Sequence, residues 1–331
     1  MKTESEHTSS AILTGLLVVG CFVFVDTAFA QTGTFLPVEK IHSEVLDEDR
    51  TIRVWLPPAY DENPEKRFPV LYLHDGQNTL SSAGPHVAFG WGNWKVDKSV
   101  ERLVKEGRTE EIILVAIDNT RKRYQEYRGR AAKYAEEEVE AMRWKLPDIG
   151  DNTAFENYAR FLIEELKPHI DRTLRTKTGP TDTGIVGSSM GGIASLVLAW
   201  DHPDVFGKAA SISGAYQVEK GIFIADDLKA FAGDPKPIRV YLDSGVASSG
   251  GDDGRAETDA VAKELRRIGW TDGENLLRYV DEPPLTAELL GPFSLPADKF
   301  KEAQVSQHNE LYWRLRVWRA LEFLFPVEPG R

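Results

Sequence analysis

The pentad Gly187-Ser188-Ser189-Met190-Gly191 sets a serine between two glycines in G-x-S-x-G spacing. A serine hydroxyl is a poor nucleophile until a base takes its proton and the local backbone presents it to a substrate. The pattern does this when it forms a sharp turn from a strand into a helix. The flanks fit: Ile185-Val186 is β-branched, and an Ala/Leu-rich stretch follows Met190. Side chains at 187 and 191 would collide with neighbouring backbone, so glycine is needed there. The amino-terminal N–H groups of the helix, Met190 first, would face the negative charge that develops on an attacked carbonyl. Ser189 is the candidate nucleophile.

On such an elbow the acid and then the histidine follow the serine in chain order. Two histidines lie beyond Ser189. His202 precedes Pro203 at the far end of the helix that Ser189 opens, about 18–20 Å away at 1.5 Å per residue. His308 lies in a polar loop before the last helix and is the candidate base. The acid has three candidates. Asp243 ends a strand, while Asp252 and Asp253 lie in the loop after it. An orienting carboxylate must reach the far ring nitrogen of His308. A loop residue is better placed for that, so Asp253 is ranked above Asp252 and Asp243, with one member of the pair expected to cap a helix.

The elements that must hold these residues alternate. Apolar runs at Phe68–Leu73, Ile112–Ile117, Thr183–Val186, Ala209–Ile212, Ile238–Leu242 and Leu276–Val280 read as strands. Helical spacing marks Val96–Val104, Met190–Trp200, Glu257–Ile268 and Asn309–Leu324. Phe155, Tyr158, Leu162, Leu166 and Ile170 mark a long amphipathic helix that Pro168 should bend. Two strands around Asp47-Glu48-Asp49 precede them. This pattern gives an α/β fold: a mostly parallel sheet with helices on both faces. The charged segment from Tyr124 to Asp151, helical over Ala135–Arg143, reads as an insertion that either caps a cleft or is an idle surface excursion.

With these residues in hand, the chain resembles the esterase branch of the α/β-hydrolase superfamily, which holds enterochelin esterases, feruloyl and acetyl esterases and the antigen 85 mycolyltransferases. The resemblance spans roughly residues 35 to 327. It rests on His74-Asp75-Gly76-Gln77-Asn78, the Ser189 elbow, Pro203-Asp204-Val205-Phe206-Gly207-Lys208, Tyr241-Leu242-Asp243-Ser244-Gly245 and His308-Asn309-Glu310. It implies that the backbone N–H of Gln77 joins that of Met190 as an oxyanion hole. It also implies an acid a few residues after Gly245. Val246 to Gly251 carry no carboxylate, which again points to Asp252 or Asp253. The implied activity is ester hydrolysis or acyl transfer by one triad, without metal or cofactor. A binding protein that has lost catalysis is the rival from another class. Siderophore, polysaccharide-linked and small acyl esters all remain open as substrates.

Composition bounds the setting. Lys+Arg 40 against Asp+Glu 52 gives a net charge of −12, which offers no basic face for nucleic acid. The densest basic run, Arg121-Lys122-Arg123, reads as a solvated turn. Residues 1–30 read as a signal peptide, with Lys2, the apolar run Ala11–Val25 and a cleavage site at Ala28-Phe29-Ala30. The run is too short for a comfortable span of about 20 residues. Export with Gln31 as the new terminus is therefore expected, ahead of a lipid anchor on Cys21. Residues 31–331 then form one domain with no stable membrane span. Cys21 is the sole cysteine, so the mature chain would hold no disulfide and rely on its core. Phe89, Trp91 and Trp94 either pack in that core or line a pocket for an aromatic or sugar ring.

Overall fold

The apolar runs Val70–Leu73, Ile113–Ile117 and Thr183–Ser188 form the centre of one sheet, buried on both faces as their unbroken hydrophobicity demands. The computed structural model describes residues 32–142, 153–282, 285–286 and 295–327. Its strands are β1 (Thr34–Phe35), β2 (Glu39–Ser43), β3 (Glu48–Leu56), β4 (Val70–Leu73), β5 (Ile113–Ile117), β6 (Thr183–Ser188), β7 (Lys208–Ile212), β8 (Arg239–Ser244) and β9 (Leu276–Val280). They lie in the order β1-β3-β5-β4-β6-β7-β8-β9, with β2 beside β3. β3 pairs antiparallel with β1, β2 and β5, and the remaining pairs are parallel.

Alternate strand residues feed two apolar layers. Val70, Tyr72, Ile113, Val115 and Ile117 face one side, while Leu71, Leu73, Leu114 and Ala116 face the other. The first side is covered by α2, α3 and α4. Helix α2 runs through Ala154–Arg160, a π-helical stretch Phe161–Leu166 and Lys167–Thr173; α3 is Met190–Asp201 and α4 Arg255–Ile268. The second side is covered by α1 (Val96–Lys105) and α5 (Glu310–Leu324). Helices thus lie on both faces of a mostly parallel sheet, as the alternation implies, and this is the α/β-hydrolase arrangement that the resemblance implies. Among the described residues, no helix is long and apolar enough to cross a membrane.

One local expectation changes and two gain detail. The first turn is at residues 44–47, where Asp47 takes a positive φ of 50°, so Glu48 and Asp49 belong to β3. In α2 the π-helical stretch directly precedes the turn that holds Pro168, whose missing N–H cannot continue the regular ladder. In the charged insertion, the described helix Glu136–Met142 ends where residues 143–151 fall outside the described set. None of its described residues lines the cleft considered below. Arg130 pairs with Asp201 at 2.5 Å and Asp227 at 3.1 Å, and Glu138 with Lys220 at 2.9 Å.

Strand register sets the location of the chemistry. Leu73 lies beside Val186, Ser188 beside Ile212 and Ile212 beside Asp243. The loops leaving β4, β6, β7 and β8 therefore start from one carboxyl edge of the sheet, where ligands bind in open α/β folds.

Candidate active site

Ser189 joins β6 to α3 with φ 53° and ψ −119°, a conformation costing an L-residue of order 1–3 kcal/mol. The surroundings enforce it. Its N–H donates to the Ile212 carbonyl at 2.9 Å, and its carbonyl accepts from the N–H groups of Gly192 and Ala215. A Cβ at Gly187 would lie 2.5 Å from the backbone of Gly191, so the turn closes only with glycine there. Met190 is the first residue of α3, and its N–H has no acceptor one turn back within the helix.

His308 ends the polar loop before α5, as the sequence suggests. Asn309 is the helix cap, its side chain accepting from the N–H groups of Leu311 and Tyr312. The His308 Nδ1 lies 2.7 Å from Asp253 Oδ1. With Asp253 ionised, Nδ1–H must donate, which leaves the lone pair of the neutral ring on Nε2. Asp253 has φ 61° and is buried. Its second oxygen accepts from Gly245 N–H at 2.5 Å and Ser213 Oγ at 2.7 Å. Burial alone would raise its pKa. The His308 bond, the Arg316 charge and the Gly245 N–H outweigh burial and hold it below the usual carboxylate value.

The other candidates go elsewhere. Asp252 accepts from Ala256 N–H at 3.0 Å in the first turn of α4; it is a helix-capping residue and does not meet His308. Asp243 is fully buried on β8 and accepts from Ser213 N–H and Tyr241 OH, with its pKa raised by burial. His202 closes α3. His74 is buried against Tyr158 OH at 3.0 Å, and burial pushes its pKa down to about 4, so it stays neutral.

Ser189 and His308 line one cavity of about 570 Å³, together with Gln77, Asn119, Phe89, Trp91, Trp94 and Trp313. Gln77 lies in the single turn Gly76–Asn78 that follows β4, and its side chain accepts from Asn119 N–H. Trp91 and Trp94 are buried and Phe89 is 94% exposed, so these aromatics serve both as core and as lining. Trp313 meets the His308 ring edge to face at 5.2 Å. The loops that carry Asp253 and His308 are stitched together by Gln307: its Oε1 accepts from the N–H groups of Val246 and Ala247, and its backbone N–H donates to the Ala247 carbonyl.

Three site residues escape sequence reasoning. Arg123 is not part of a solvated turn; it grips the Asp75 carboxylate at 2.7 Å through both Nε and Nη2, anchoring the loop that carries Gln77. The polar neighbours Asp118 and Asn119 gave no signal of this. Glu310 lines the cavity and accepts from Asn78 Nδ2 at 3.4 Å. Burial pushes its pKa up to about 7. Arg316, one of several basic residues on α5, is buried beneath Asp253.

The fold and the placement of the cleft define an α/β hydrolase. A family model described as "Putative esterase" matches residues 43–272. The chain belongs to that family and is an esterase. It is 23% identical over 242 residues to the uncharacterized protein YbbA of Bacillus subtilis (strain 168), covering 70% of this chain and 84% of that one. It is also 25% identical over 203 residues to an endo-1,4-beta-xylanase/feruloyl esterase of Xylanibacter ruminicola, a match spanning 60% of this chain and 23% of that protein. Among solved structures, a ferulic acid esterase superposes with TM-score 0.59 at 17% identity, covering 89% of this chain and 98% of its own. That likeness is one of fold.

Proposed function

We propose that the protein hydrolyses carboxylic esters through an acyl-enzyme on Ser189. His308 Nε2 takes the Ser189 proton as Oγ bonds to the ester carbonyl carbon, and the carbonyl electrons move onto the oxyanion. The N–H groups of Met190 and Gln77 receive that oxyanion. His308 then returns the proton to the leaving alcohol as the C–O bond breaks. Water repeats the sequence, releasing the acid and restoring Ser189. Asp253 holds the ring tautomer and stabilises the imidazolium. The observation that carries this reading is the 2.7 Å bond from Asp253 to His308 Nδ1, in the same cleft as a serine at a strained strand-to-helix turn.

Hydrolysis is favoured over transfer to another alcohol because a third of the His308 side chain is exposed, so water has access to the base. Cleft chemistry favours an uncharged ester bearing a planar or sugar ring, since Phe89, Trp91, Trp94 and Trp313 lie among polar side chains in the lining and Arg123 is already paired with Asp75. The reading includes export, with residues 1–30 removed after Ala30. The test is turnover of p-nitrophenyl esters. Ser189→Ala should lower kcat by about 10⁴-fold or more. A fluorophosphonate should label the native protein at Ser189, and a binding protein without catalysis would stay unlabelled. Near-normal turnover by Ser189→Ala would overturn the assignment.

A further inference from the structure

We propose that Arg316 is a positioning residue for the ester hydrolysis: it holds the Asp253 carboxylate so that Oδ1 faces His308, and it supplies a cation within the acid cluster beneath that histidine. The inference rests on the triad reading above.

Arg316 lies eight residues after His308, two turns along α5, and is 2% exposed. Its guanidinium is shared among three carboxylates from three segments. Nη2 lies 3.4 Å from Asp253 Oδ2, Nε 3.2 Å from Asp243 Oδ2 and Nη1 3.6 Å from Asp281 Oδ2. Nη2 also donates to Ser213 Oγ, which in turn donates to Asp253 Oδ2. Oδ2 of Asp253 is thus occupied by Gly245, Ser213 and Arg316, and only Oδ1 is left for His308. Burying a guanidinium is expensive, and the buried carboxylates of Asp243 and Asp253 beside it are what its charge offsets.

Electrostatics fixes the direction of the effect. Asp243, Asp253 and Asp281 face Arg316, with Tyr241 on β8, Tyr279 on β9 and Tyr312 and Arg319 on α5 nearby, while Glu310, Asp75 and Arg123 share the cleft with His308. Without the guanidinium, the carboxylates beneath the imidazole lose the cation that faces them. Negative charge favours protonated histidine, so removing the guanidinium should let His308 keep its proton to higher pH. The acidic limb of kcat/KM then moves up.

The experiment is the pH profile of kcat/KM with melting temperature for three variants. Arg316→Gln should lose about 10²-fold and shift its acidic limb up by about half a unit to one unit. Arg316→Gln combined with Asp243→Asn removes one anion with the cation, and its limb should return toward the native position. Arg316→Lys keeps the charge but cannot span three carboxylates; it should keep the limb and lose about tenfold in kcat. A folded Arg316→Gln enzyme with the native limb overturns the proposal, as does an activity loss that follows stability alone in all three. If Arg316→Gln does not fold, native kcat in Arg316→Lys overturns it. Failure of the triad reading would show separately, as activity retained by Ser189→Ala.

Discussion

Two adjacent aspartates, Asp252 and Asp253, do different work because their backbones differ. Asp253 takes a left-handed φ of 61° and turns its carboxylate inward to His308, whereas Asp252 keeps its carboxylate on Ala256 N–H. Asp253→Asn should therefore lose about 10²–10⁴-fold in kcat with little change in melting temperature. Asp252→Asn should stay near native activity and lose about 1 kcal/mol of stability at most. Asp243→Asn should lower stability first, since it removes a buried partner of Arg316, Tyr241 and Ser213. Kinetics with thermal melts on the three variants check this. Glu310 supplies a pH test. Its pKa rises from 4.5 to about 7 in the folded state, so the fold prefers it neutral. Its stabilising preference is full below the unfolded value and is lost as pH rises toward 7; above that, the buried charge is a constant penalty on the order of 3 kcal/mol. Glu310→Gln should raise stability in denaturant melts near pH 8 and leave it nearly unchanged near pH 4. The sequence marked Ser189 and His308 through spacing and chain order. It ranked Asp253 above Asp252 on loop placement alone, because the left-handed backbone that turns Asp253 inward leaves no mark in the sequence.

Elements were legible where one residue pattern met one demand. β4 and β5 are apolar throughout because helices cover both faces, and α2 shows its five-residue stripe because only one face is buried. Boundaries at the site were less legible. Asn309 looks like the start of the last helix, but it caps α5 from outside and holds its first turn against the base. Asn309→Ala should cost about 1 kcal/mol through the lost cap and reduce kcat by freeing His308, while Asn309→Asp should restore most of both. Calorimetry and ester kinetics on the pair give the check. Arg316 and Arg123 could not be read in advance. Each stands in a run of similar charged residues, and its partner is distant in sequence: Asp75 for Arg123, Asp253 for Arg316. The exposed ring of Phe89 belongs to this scale too, since it is held over the cleft by a turn in which both Ala88 and Phe89 have positive φ.

At the scale of the molecule, one α/β sheet spans the described residues and holds itself together without cross-links. Cys21, the sole cysteine, lies within residues 1–30, which the proposed export would remove. Protein recovered outside the cytoplasm should begin at Gln31 by amino-terminal sequencing, and its melting temperature should not change with a thiol reductant. A lipidated Cys21 at the terminus would instead show anchoring. The stitch made by Gln307 reaches further than geometry. Asp253 and His308 sit 55 residues apart in the chain, yet Gln307 bonds the His308 segment to Val246 and Ala247 of the Asp253 loop. The two segments should then open as one cooperative unit, with the amides of Val246, Ala247 and Gln307 sharing one hydrogen-exchange opening energy. Because that opening separates Asp253 from His308 while the sheet stays intact, heating should silence the enzyme several degrees before it unfolds.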